Sequence, residues 1–161
     1  MKLKTLATIL TLSSGALFAQ TVDVKDAWAR ATVPGQKATG AFMKLTAKEG
    51  AKLVAISSPV AGVGEVHEMK MEGDVMKMRA VTGGLDLPAG KAVELKAGGY
   101  HVMLMDLKST LQKDTTIPMT LVFKDAKGVE TKTELTVPVS MTAPGAKAAD
   151  MPAMDHSKHK M

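Results

Sequence analysis

The chain has 161 residues, 45% hydrophobic but only 3% aromatic, which suits one domain whose core is filled by aliphatic side chains and methionine. A formal charge of +5, with acidic and basic residues interleaved and no basic block, argues against a nucleic-acid partner. The absence of cysteine excludes structural disulfides, thiolate metal sites, a lipid-bearing cysteine and a blue-copper electron-transfer centre, whereas thirteen methionines are unusually many for a chain of this size.

In chain order, Lys2 and Lys4 precede an apolar run through Ile9, Leu10 and Leu12 that ends in small residues at Ala19, the layout of a secretory signal peptide. The run is far shorter than the roughly 20 residues that span a bilayer, so cleavage after Ala19 and a periplasmic protein with no membrane anchor are expected. Loss of residues 1–19 removes two lysines and no acid, and the formal charge falls from +5 to +3.

From Val22 to Val139, short apolar alternations separated by turn residues predict an all-β sandwich or barrel. The candidate strands are Val22–Ala31, Gly40–Ala47, Leu53–Ser57, Glu65–Met71, Val75–Val81, Ala92–Lys96, His101–Leu107, Pro118–Phe123 and Val129–Val139. Residues 57–64 read as a turn, and 83–90 or 108–116 as places for one short helical turn. Trp28 reads as a core or edge anchor, Arg30 as support for a site loop or docking face, and Met43, Met105 and Met119, taken singly, as packing. Residues 140–161 form a tail without apolar alternation, yet Met151, Met154, His156, His159 and Met161 crowd its end.

Side chains alternate across a strand, so His67, Met69 and Met71 share one face, as do Met76 and Met78, and His101, Met103 and Met105. Tyr100 points to the opposite face from His101, towards packing. A hairpin turn at Gly73-Asp74 sets Met71 against Met76, Met69 against Met78 and His67 against Ala80, with Met78 diagonal to His67 at roughly 7 Å between Cβ atoms. In a Greek-key sandwich the His101 strand could lie alongside and complete a cluster. Neutral imidazole and thioether donors make a soft set suited to Cu(I), and thioethers persist in an oxidising compartment where thiolates are lost to oxidation. In the tail, His156 and His159 with Asp155 suit Cu(II), and Met151, Met154 and Met161 offer Cu(I) ligands.

The spacing His67, ten residues, Met78, twenty-two residues, His101-Val102-Met103 resembles the signature of the PCu(A)C-type periplasmic copper chaperones. The resemblance extends through "DAWARATVPGQKATGAFMKL", "GGLDLPAGKAVELKAGGYHVMLMDLK" and "IPMTLVFKDAKG", most of Val22–Val139. It implies a cupredoxin-like Greek-key β-sandwich over residues 20–139. It also implies Cu(I) held by His67, Met78, His101 and Met103 at an exposed end, and delivery to the dinuclear copper centre of cytochrome c oxidase subunit II. Many members carry Met directly after the first His; Glu68 stands here, which leaves Met69 as an auxiliary ligand. The His/Met-rich tail is similar to extensions in the family proposed to take Cu(II). A monomer with no enzymatic activity is expected, since His67 and His101 sit in no nucleophile motif. The alternative is a periplasmic copper buffer without a specific client.

Overall fold

The computed structural model describes residues 22–144, so the signal segment and the tail residues Met151, Met154, His156, His159 and Met161 lie outside the described residues. Ten strands and, among the described residues, no helix make up the fold: β1 (Val22–Arg30), β2 (Ala38–Ala47), β3 (Ala51–Ser57), β4 (Ala61–Glu72), β5 (Val75–Ala80), β6 (Leu85–Leu87), β7 (Ala92–Leu95), β8 (Tyr100–Leu107), β9 (Thr116–Lys124) and β10 (Glu130–Ser140). The period-2 pattern places the core. Ile117, Met119, Leu121 and Phe123 of β9 point inward, as do Ala41, Met43 and Leu45 of β2 and Val102 and Leu104 of β8, all buried. Met43 and Met119 are therefore packing residues, filling gaps among aliphatic neighbours as flexible side chains do.

The hydrogen-bonded order is β5-β4-β8-β2-β1-β10-β9-β3-β6, with β7 also on β2. One layer, β5-β4-β8-β2-β1, faces the other, β10-β9-β3-β6, and the two are joined by the parallel pair β1 and β10, where Ala29 meets Val139. A second junction closes the barrel where Ile56 of β3 meets Gly64 of β4. A Cβ at residue 64 would stand 2.8 Å from the Ile56 carbonyl oxygen, so only glycine lets the strands approach this closely. The result is the closed all-β architecture expected from the chain's alternation, and it agrees with the cupredoxin-like sandwich that the family resemblance implies.

Three expectations are corrected. β4 begins at Ala61, so part of the presumed 57–64 turn is strand, its glycines serving close contacts instead of a loop. Neither 83–90 nor 108–116 is helical: Leu85 and Leu87 make a short strand on Leu53 and Ala51, and Leu111 is tied to Thr32 by N–H donors in both directions, at 2.8 and 2.9 Å. Tyr100 is not a core residue; it is 37% exposed, opposite Glu68, where the β4–β5 hairpin extends beyond the barrel.

Candidate metal centre

The hairpin register follows the sequence reading: Met71 opposes Met76, Met69 opposes Met78 and His67 opposes Ala80, around a two-residue loop opened by Gly73 at φ 63°. The Greek-key connection then supplies what spacing alone leaves open. β8 lies on the other side of β4, antiparallel, with His67 directly opposite His101 and Glu65 opposite Met103. Since Val66 and Val102 face the core, the alternating residues His67, Met69, His101 and Met103 all face outward, joined by Met78 from β5. Three neighbouring strands thus bring His67, Met69, Met78, His101 and Met103 to one outer face.

Hydrogen bonding fixes the donor atoms. His101 is 6% exposed, and its Nδ1 lies 3.1 Å from the Gly99 carbonyl, which can only accept; the proton therefore sits on Nδ1 and the Nε2 lone pair is free. That Nε2 stands 3.2 Å from the Met78 sulfur. Neither atom has a proton to donate, so the contact is two electron-pair donors converging on one point, with no hydrogen bond between them. Such a pair is stabilised by an electron-pair acceptor placed at that point.

His67 is held in a matching way. Its Nε2 is 3.0 Å from a Glu65 carboxylate oxygen, which accepts a hydrogen bond from Nε2–H, while Nδ1 is buried with no partner. A buried unpartnered nitrogen is costly, and ligation would satisfy it. The two imidazole centroids are 6.1 Å apart. Metal–nitrogen bonds of about 2 Å on each side would put two rings sharing an ion roughly 6 Å apart, so the separation admits one ion. Among the described residues no group of three or more His, Asp or Glu gathers to hold a metal, so a hard, carboxylate-rich centre is not what this face offers.

Glu65 is a residue the sequence reading missed. Its signal was available: it lies two positions before His67 and so shares its face. A carboxylate on the distal nitrogen orients a ligating imidazole and raises its basicity, and Glu65→Ala is expected to weaken soft-metal binding by about tenfold, measured by competition with a chelator. Glu68, by contrast, turns to the opposite face and pairs with Arg79 at 2.7 Å, leaving Met69 as the thioether beside Met78. Beyond Met103 the same outer face continues to Gly40, its partner on β2, over which the Phe42 ring is packed. Trp28 anchors that ring at 4.7 Å between centroids, and the Arg30 guanidinium lies 5.5 Å from its centre.

The sequence family described as "Putative lipoprotein LpqE-like" matches residues 22–150. "Putative lipoprotein Lxx21020" of Leifsonia xyli subsp. xyli (strain CTCB07) is 34% identical over 104 residues, covering 65% of this chain and 63% of that protein. The chain thus spans somewhat less than two thirds of that relative's length. Among solved structures, CuI-DR1885 from Deinococcus radiodurans superposes with a TM-score of 0.58 at 27% identity, over 83% of this chain and 87% of that one. The apo PCuAC domain from PmoF1 shares the fold, with a TM-score of 0.56 at 24% identity over 74% of this chain and 94% of that one. The PCuAC resemblance seen in the sequence therefore holds in three dimensions, and the chain belongs to the LpqE-like lipoprotein family.

Proposed function

We propose that this protein is an extracytoplasmic copper carrier. It holds one Cu(I) through His67, Met78, His101 and Met103, with Met69 as an auxiliary thioether, and releases it to a cuproprotein. The observation that carries this reading is the 3.2 Å approach of His101 Nε2 to the Met78 sulfur, two donors with no proton between them. A neutral set of two imidazoles and two thioethers suits Cu(I) above Zn, Ca or Mg, and DR1885, 27% identical, has a structure named for its Cu(I) form. Copper is cargo here, and no bond-making step on a substrate is assigned to the site.

The arrangement suits delivery as well as retention. His101 is buried while Met78 is 51% exposed, so one ligand is rigid and another can swing away as an incoming donor arrives. The client we propose is the dinuclear copper centre of cytochrome c oxidase subunit II. Residues 1–19 act as the export signal, residues 20–139 carry the copper domain, and Met151, Met154, His156, His159 and Met161 in the tail collect additional Cu(I) or Cu(II). A tethered tail raises the local copper concentration at the domain. The family and its relative are named lipoproteins, but these 161 residues contain no cysteine to which a lipid could be joined.

Transfer kinetics test the carrier role. The copper-loaded protein, mixed anaerobically with the soluble copper domain of subunit II, is expected to lose Cu(I) at a rate proportional to acceptor concentration, as direct ligand exchange requires. A rate independent of acceptor would mark spontaneous release, the behaviour of a copper buffer.

A further inference from the structure

The β4–β5 hairpin carries more sulfur than the four-ligand site uses. Met71 and Met76 oppose each other at its tip and are 56% and 47% exposed, one rung outside the Met69–Met78 pair. Packing does not explain them, because every residue of β5 is exposed. Nor is the hairpin apolar throughout: its other face carries ion pairs from Glu68 to Arg79 at 2.7 Å and from Glu72 to Lys77 at 2.6 Å. One face is mostly charged, and the other carries a row of thioethers that ends, at Met71, Met76 and Met78, in solvent beside a free edge strand. Exposed apolar side chains on an edge strand invite aggregation, a cost that calls for a function.

We propose that Met69, Met71 and Met76 form a second, outer Cu(I) site that loads the inner one; the proposal rests on the copper reading above. Directly opposed side chains in an antiparallel pair have Cβ atoms about 5 Å apart, and the next rung along the same face lies roughly 7 Å away. Thioethers on these flexible side chains can therefore close around one ion at the tip. Met69 belongs to both rungs, opposite Met78 and two residues from Met71 on the same face. An ion bound at the tip moves inward by ligand exchange. A copper–sulfur bond to Met71 or Met76 breaks as a bond to Met78 forms, and a second breaks as His101 Nε2 binds. Copper stays Cu(I) throughout, no proton moves, and neutral ligands replace neutral ligands. The outer site, of thioethers alone and open to water, binds more weakly than the imidazole-containing inner one, which gives the path a direction.

The test is an anaerobic Cu(I) titration of the full mature chain with carbon-13-labelled methionine methyls followed by NMR, beside the double variant Met71→Leu/Met76→Leu. Leucine keeps volume and apolar character at exposed positions, so the fold is retained, and unchanged Met119 and Met43 methyl shifts verify it. The first equivalent is expected to move the Met69, Met78 and Met103 methyls, and the second to move Met71 and Met76 together and Met69 again. In the double variant the first equivalent is still bound, but its uptake from a chelator slows by about threefold or more. A second equivalent that moves only Met151, Met154 and Met161, or unchanged uptake in the double variant, overturns the outer site and leaves the inner one standing. A first equivalent that leaves Met78 and Met103 unmoved removes the copper reading itself, and the outer site with it.

Discussion

Replacing Met78 by leucine is expected to weaken Cu(I) binding by about 100-fold while changing folding stability by no more than about 0.5 kcal/mol. The two halves of that expectation come from different features of one residue. Met78 is 51% exposed on a strand without a buried side chain, so leucine of similar volume removes no core contact and creates no cavity. Its sulfur, however, is the atom facing His101 Nε2 at 3.2 Å, and leucine offers no electron pair there. Chelator competition and thermal unfolding on the same preparations check both halves. A lowered melting temperature with unchanged copper affinity would make Met78 a packing residue after all.

Phe123→Ala should do the reverse, costing about 3–5 kcal/mol of stability while the folded protein still takes one tight equivalent of Cu(I). Phe123 is the largest of the fully buried side chains, on β9 in the layer opposite the candidate site. Its cavity would open among Leu53, Leu121 and their neighbours, a cluster that does not include His67, Met78, His101 or Met103. Denaturant unfolding reports the first quantity and competition titration at low temperature the second. If affinity fell in proportion to stability, the proposed copper ligands would be coupled to the whole core and not to a preformed outer face.

The hairpin was legible in the sequence because two local rules act together: a two-residue loop fixes register, and strand alternation fixes the face. Gly73-Asp74 and the spacing of His67, Met69, Met76 and Met78 therefore sufficed to pair the rungs correctly. The placement of β8 beside β4 was not readable in that way, since its partner lies across a long connection and pairing depends on the whole topology. Glu65 was missed because a carboxylate among soft ligands attracts no notice until its 3.0 Å contact with His67 is seen. Gly62 and Gly64 read as loop residues although both lie within a strand, where they accommodate Asp106 and the Ile56 carbonyl. Tyr100 was misassigned for a related reason: alternation gives the side of the sheet, but not whether the barrel continues behind it. At the root of the β4–β5 arm it does not continue fully, and the ring is left partly open to solvent.

The most direct measurement is an anaerobic Cu(I) competition titration of the mature chain ended after Pro144, beside its His101→Ala variant. Ending there removes Met151, Met154, His156, His159 and Met161 but keeps Ser140, whose carbonyl accepts the Ala31 N–H at 2.8 Å. One tight equivalent in the parent, weakened by about 100-fold or more in the variant, is the expected result. No tight binding, or binding indifferent to His101, would contradict the proposed centre and leave the strand methionines without a metal to hold.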